Sequence, residues 1–146
     1  MKIALASDHA GFEYKKEMAA WLKDHDHQVL DFGTYSDESV DYPDYAFPAA
    51  EAVAAGVAHY GIVICGSGIG VSIVANKVTG IRSALCMTED MAEMSRRHNN
   101  ANVLAMGARL LDLDTCKKIA ETFIFTEFDG GRHMIRVEKI HSLTGW

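Results

Sequence analysis

Cysteine is scarce in this chain of 146 residues: Cys65, Cys86 and Cys116 are the only three, an odd number with no C-x-x-C spacing. That argues against a disulfide framework and against a zinc knuckle, and it fits a reducing cytoplasm. No stretch approaches the ~20 consecutive apolar residues of a membrane span. Met1-Lys2-Ile3-Ala4-Leu5-Ala6 has the outline of a secretory leader, but Ser7-Asp8-His9 interrupts it. The run stops far short of the ~7 to 15 apolar residues such a leader needs, so a cytoplasmic location is expected. Positive charge is also in deficit, with 14 Lys and Arg against 20 Asp and Glu and a formal net charge of -6. A general basic surface for nucleic acid or an anionic membrane is therefore lacking, and any anionic ligand has to be met by a few local residues. Repeats, linkers and low-complexity segments are absent as well, and 49% hydrophobic composition suits one compact domain over residues 1–146.

What is present is an alternation of two periods around one stretch, Ile62-Val63-Ile64-Cys65-Gly66-Ser67-Gly68-Ile69-Gly70. Its β-branched run, too short for a helix, predicts a buried strand, and the glycines predict a turn into the next element. Before it, Lys2 to Ser7 reads as a strand, Gly11 to Asp24 as a helix, His27 to Phe32 as a second strand and Gly33 to Asp41 as a loop. Pro43 suits the first turn of an alanine-rich helix running to about Ala55. After it come a helix from Val71 to about Val78, a strand from Arg82 to Met87, and a helix from Thr88 to Arg97 with Thr88 as its cap. Asn102 to Met106 reads as a fifth strand, Asp112 to Phe123 as a helix, and a C-terminal helix covers about 131–143. Strands separated by helices predict an α/β fold of three layers, a five-stranded parallel sheet with helices on both faces.

In such a sheet, ligands bind beyond the carboxyl ends of the strands. Asp8-His9, Cys65 to Gly70 and Gly107 to Arg109 each follow a strand and so share one edge. Cys65 stands where turn N–H groups and a helix start favour negative charge, which makes it the leading catalytic candidate. His98-Asn99-Asn100 precedes strand five and falls on the opposite edge. Functional residues there would complete the site of a neighbouring subunit, which predicts at least a two-fold dimer.

Taken together, Asp8-His9-Ala10-Gly11-Phe12, Asp41-Tyr42-Pro43-Asp44-Tyr45-Ala46, Cys65-Gly66-Ser67-Gly68-Ile69-Gly70, Arg97-His98-Asn99, Asn102-Val103-Leu104-Ala105 and Gly130-Gly131-Arg132-His133 followed by Arg136 resemble the type B ribose-5-phosphate isomerases. The likeness runs through nearly the whole chain in matching order, and the combination is specific where single motifs are not. It implies a Rossmann-like domain, interconversion of ribose 5-phosphate and ribulose 5-phosphate without metal or other cofactor, and a homodimer with sites between subunits. Whether dimers pair further is left open. Ser67 stands where many relatives carry threonine, which keeps the hydroxyl. One branch of the family uses a glutamate elsewhere in place of the cysteine base.

Aldose–ketose isomerisation needs a base at C2 of the open sugar and donors for the enediolate oxygen. Cys65 as thiolate is the expected base, with Ser67 as its hydrogen-bonding neighbour. The N–H groups of Gly66, Gly68, Ile69 and Gly70 and the amide of Asn99 are the expected oxyanion donors. His98 suits opening of the furanose ring, since imidazole gives and takes protons near neutrality. Asp8 would bind sugar hydroxyls. Arg132 and Arg136, four apart on one helical face, would clamp phosphate with His9 or Arg109. Each has an ordinary alternative: Asp8 and His9 as a helix cap, the arginines as a solvated face, Cys65 as a small core hydrophobe, and Tyr42 as a core aromatic instead of a site residue. A dinucleotide G-x-G-x-x-G is broken by Val71, a Walker loop lacks its Gly-Lys, and no His pair or nearby His/Cys grouping suggests a metal. Within the isomerase reading, allose 6-phosphate or galactose 6-phosphate is the close alternative substrate; outside it, a non-catalytic sugar-phosphate binder remains.

Overall fold

The computed structural model describes residues 1–146 and contains five strands and six α-helices. The strands are β1 (Lys2–Ser7), β2 (Gln28–Asp31), β3 (Tyr60–Cys65), β4 (Ser83–Leu85) and β5 (Val103–Gly107). The helices are α1 (Phe12–Asp24), α2 (Pro43–Ala54), α3 (Ile69–Ala75), α4 (Glu89–Asn99), α5 (Leu113–Phe125) and α6 (Arg132–Thr144). All strand pairs are parallel, in the order β2-β1-β3-β5-β4. No helix is long and apolar enough to cross a membrane.

β3 is central because it can be dry on both sides: Gly61 to Cys65 are all buried. The period of two sends Ile62 and Ile64, with Leu5 and Met106, into one core with Met18 of α1, Ala92 of α4 and Phe123 of α5. Val63 and Cys65, with Ala6 and Ala105, face a second core built on Ala46, Ala49 and Ala50 of α2 and on Val71 and Ala75 of α3. Small residues on α2 let that helix lie close against β1. The expected three-layer arrangement is thus the observed one.

Element ends differ from the sequence reading for local reasons. α3 begins two residues before Val71, because Gly68 takes a left-handed backbone (φ 78°) that turns the chain straight into the helix. It ends at Ala75, where the Asn76 side chain donates to the carbonyls of Ser72 and Ser83, both at 3.0 Å, and ties the helix end to β4. α4 starts on its expected cap, Thr88 Oγ1 accepting from the Met91 N–H at 3.2 Å. It runs beyond Arg97 to Asn99 and stops at Asn100, which is left-handed with φ 48°. His98 and Asn99 are therefore the last turn of a helix and not part of a loop. β4 is shorter than expected, three residues at the sheet edge. α6 packs on α4 instead of the sheet; only Val137 of its residues is buried, and Ile135 and Leu143 stay exposed.

Candidate active site

The chain leaves β1 outward to β2 and returns to place β3 on the other side of β1, so the sheet reverses direction between β1 and β3. That reversal opens a crevice at the carboxyl ends of the two strands. In it lies a cleft of about 360 Å³ lined by Asp8, Tyr42, Cys65, Gly66, Ser67, Gly70, Arg109 and Leu110. Cys65 is 4% exposed and forms part of the cleft floor. Its Sγ accepts the Gly68 N–H at 3.1 Å, so a turn amide is aimed at the sulfur. Such a donor stabilises negative charge on its acceptor.

The turn is held from beneath by β5. Cys65 pairs with Gly107 in register, the Ala108 N–H donates to the Cys65 carbonyl at 2.8 Å, and the Arg109 N–H donates to the Gly66 carbonyl at 3.0 Å. Arg109, exposed, lies over Gly66. The Tyr42 ring lies over Gly70, close enough that a Cβ there would meet Cζ at 2.7 Å. Tyr42 is 38% exposed and lines the cleft, so it is not a core aromatic. Asp8 Oδ1 accepts the Gly11 N–H at 3.1 Å as a cap, and the residue also lines the cleft. His9 stands just outside it, its Nδ1 accepting the Val40 N–H at 3.2 Å. Ser67 Oγ accepts the Ile69 N–H at 3.3 Å. The Ile69 side chain is 52% exposed and lines a separate groove with Ile73 and Leu85, so only the backbone of that residue belongs to the turn.

His98, Asn99, Arg132 and Arg136 are not brought to this cleft. They sit at the opposite edge, where α4 ends and α6 begins. There the His98 and His133 rings stack with centroids 4.3 Å apart and planes 8° off parallel. Burial holds the His133 imidazole below its usual range, helped by the charges of His98, Arg132 and Arg136. Arg136 donates to the Arg132 carbonyl at 2.7 Å. A larger cavity of about 430 Å³ adjoins this edge, with Arg82, Asn99, His141 and Trp146 in its wall.

One grouping escaped the sequence reading. Potential ligand atoms of His98, Asp129 and His133 lie within 4.8 Å of one another, although the residues are spread over two helices and a loop. The company they keep suits an anion better than a cation. Arg97 Nε already holds both Asp129 oxygens, at 3.1 and 3.2 Å, and Arg132 and Arg136 add positive charge beside His133. Leu110 was also missed; it is a single apolar residue in a turn, and nothing local marks it as a cleft wall.

The family description Ribose/Galactose Isomerase matches residues 3–140. The chain belongs to this isomerase family. Ribose-5-phosphate isomerase B of Escherichia coli (strain K12) is 46% identical over 97% of this chain and 95% of its own length. Among solved structures, Ribose-5-Phosphate Isomerase B of Clostridium thermocellum superposes with a TM-score of 0.98 at 52% identity, covering 99% of this chain and 98% of its own. The Mycoplasma genitalium Ribose-5-phosphate Isomerase B, solved with bound ribulose-5-phosphate, gives a TM-score of 0.95 at 40% identity over 99% of this chain and 96% of that one. The resemblance stated from six short motifs and the fold expected from strand and helix periods therefore converge on the same isomerase family.

Proposed function

We propose that the protein is a cytoplasmic aldose–ketose isomerase that interconverts ribose 5-phosphate and ribulose 5-phosphate, as one domain per subunit in a homodimer whose sites are completed by both chains. The observation that carries this reading is Cys65 Sγ on the floor of the β1–β3 crevice with the Gly68 N–H directed at it at 3.1 Å. The high identity to ribose-5-phosphate isomerases over nearly the full chain supports the substrate class.

In this reading His98 of the partner subunit assists opening of the furanose, and the open aldose then lies over the turn. The Cys65 thiolate takes the proton from C2, the electron pair forms the C1–C2 double bond, and negative charge collects on O1. The turn from Gly66 to Gly70 and the amide of Asn99 of the partner subunit hold that charge. The O2 proton passes to O1, and the Cys65 thiol returns its proton to C1, giving the ketose and restoring the thiolate. Asp8 binds sugar hydroxyls. Phosphate is held by Arg109 with His9, or by Arg132 and Arg136 of the partner subunit.

Cys65→Ala tests the base. Removing a positioned general base costs about 10²- to 10⁴-fold in turnover, while KM for ribose 5-phosphate should change little, because the sulfur acts on one proton and not on the phosphate. Activity within tenfold of the parent would remove the thiolate mechanism. The family description also names galactose, so the same assay is run with allose 6-phosphate and galactose 6-phosphate. A higher kcat/KM on either would place the enzyme on six-carbon substrates.

A further inference from the structure

Two arginines hold the turn that ends α4. Arg96, buried, donates through Nη1 to the Asn100 side-chain oxygen at 3.0 Å and to the Ala101 carbonyl at 2.5 Å. Its other nitrogens reach the Thr126 carbonyl at 3.2 Å and the Tyr60 hydroxyl at 2.8 Å. Arg82, half-buried at the entry to β4, donates through Nε to the carbonyls of Asn99 at 3.1 Å and Asn100 at 2.9 Å. Arg82 is itself fixed: its N–H donates to Asn102 Oδ1 at 2.8 Å, and Asn102 Nδ2 donates to the Gly80 carbonyl at 2.8 Å. Its Nη1 meets His141 Nε2 at 3.0 Å, and the Trp146 ring lies 5.2 Å from its guanidinium carbon.

Neither guanidinium has a carboxylate partner among its hydrogen bonds; Arg82 directs its charge at the carbonyl oxygens on the negative end of α4, and Arg96 at the Asn100 side chain and the Ala101 carbonyl just beyond it. One cation would suffice to cap a helix. Two of like charge around three residues repel each other, and the arrangement is the costlier one unless the conformation of that turn matters. One of the two carbonyls that Arg82 holds is that of Asn99, and the next residue back is His98. The same guanidinium reaches α6, the helix that carries Arg132 and Arg136.

We propose that Arg82 is a positioning residue for the isomerisation: it fixes the turn after His98 so that the His98 imidazole and the Asn99 amide are presented in one orientation to the Cys65 cleft of the other subunit. This rests on the shared-site reading above. A displacement of about 1 Å in a group acting on the transition state costs on the order of 10²-fold in rate, whereas ground-state binding of the phosphate is little affected.

The test is a double-mutant cycle. Arg82→Gln, Asn99→Ala and the double variant are purified as dimers, their folding checked by thermal melting, and kcat and KM measured with ribose 5-phosphate. Arg82→Gln should lower kcat about 10- to 100-fold with KM within about threefold, and Arg82→Lys, which keeps a donor, should recover part of the loss. In the Asn99→Ala background the same change should cost a clearly smaller factor than in the parent, because one of the two groups it positions is gone. A loss of equal factor in both backgrounds, or a folded Arg82→Gln enzyme with parental kcat, overturns the positioning role. If Arg82→Gln does not fold, Arg82→Lys carries the comparison: its smaller loss of kcat should still shrink in the Asn99→Ala background, and an equal factor in both backgrounds overturns the role. Parental turnover in Asn99→Ala alone would instead remove the shared-site reading, and the positioning role with it.

Discussion

At the scale of single residues, the place of Cys65 is decided by what its neighbours leave out. A Cβ on Gly107 would lie 2.6 Å from the carbonyl carbon and oxygen of Ser67, and backbone cannot swing aside as a flexible side chain does. Gly107→Ala should therefore push the 66–68 turn off β5, break the geometry of the Gly68 N–H toward the sulfur, and cost about 1 to 3 kcal/mol of stability as overpacking does. Thermal melting should show the lower stability, and kcat should fall by more than the stability loss explains at a temperature where the variant is fully folded. A folded variant with parental kcat would mean that the turn tolerates displacement. Cys65 itself was legible because a β-branched run ending in Cys-Gly-x-Gly carries both strand and turn signals within nine residues. That Tyr42 covers Gly70 and Arg109 covers Gly66 was not legible from the residues alone. Those contacts join segments far apart in the chain, and nothing in local pattern states which glycine an aromatic or a guanidinium will lie over.

Among the elements, α6 is the one whose place the periodicity did not reveal. Its amphipathic pattern announces a helix, and in the structure its one buried residue, Val137, faces α4 while the rest of its apolar side chains stay open. Its far end is fastened by His141, which accepts from Arg82, and by Trp146, whose ring meets the His141 imidazole edge-on. Burial first, and then the Arg82 charge, hold His141 below its usual range, with Glu138 opposing. The folded chain thus binds fewer protons here than the unfolded one. The stabilisation is whole above about pH 6.5, the unfolded value, and is lost as pH falls from there toward the folded value. His27 and His133 are shifted in the same direction. Melting temperature should accordingly drop between about pH 7.5 and pH 5.5, and His141→Gln, which cannot titrate, should flatten part of that slope. An unchanged slope in the variant would show that this end of α6 contributes nothing to acid sensitivity.

On the scale of the whole molecule, the sheet itself separates the two halves of the proposed chemistry. Cys65 is level with the last residue of β5, and His98 lies in the last turn of the helix that feeds its first. Five residues of parallel strand put roughly 13 Å between those edges before side chains are considered, so one chain cannot bring the imidazole to its own sulfur. A two-fold axis can, because an isologous pairing that sets His98 of the partner subunit over one cleft does the same at the other. Exposed apolar side chains beside both halves, Ile69 and Ile73 on α3, Met94 on α4 and Ile135 on α6, are the kind of surface such a pairing would cover. The arrangement has an arithmetical consequence. Cys65→Ala and His98→Gln should each be nearly inactive as pure dimers. Co-expressed in equal amounts, they should form hybrids in about half the dimers, each hybrid with one intact site and one doubly defective site, so that about a quarter of parental activity returns. Tagging each chain differently isolates the hybrid, which should then show about half the parental turnover per dimer. If instead the purified hybrid is no more active than its parents, sulfur and imidazole are drawn from one chain, and the separation imposed by the sheet must be overcome by a rearrangement of α4 within the subunit.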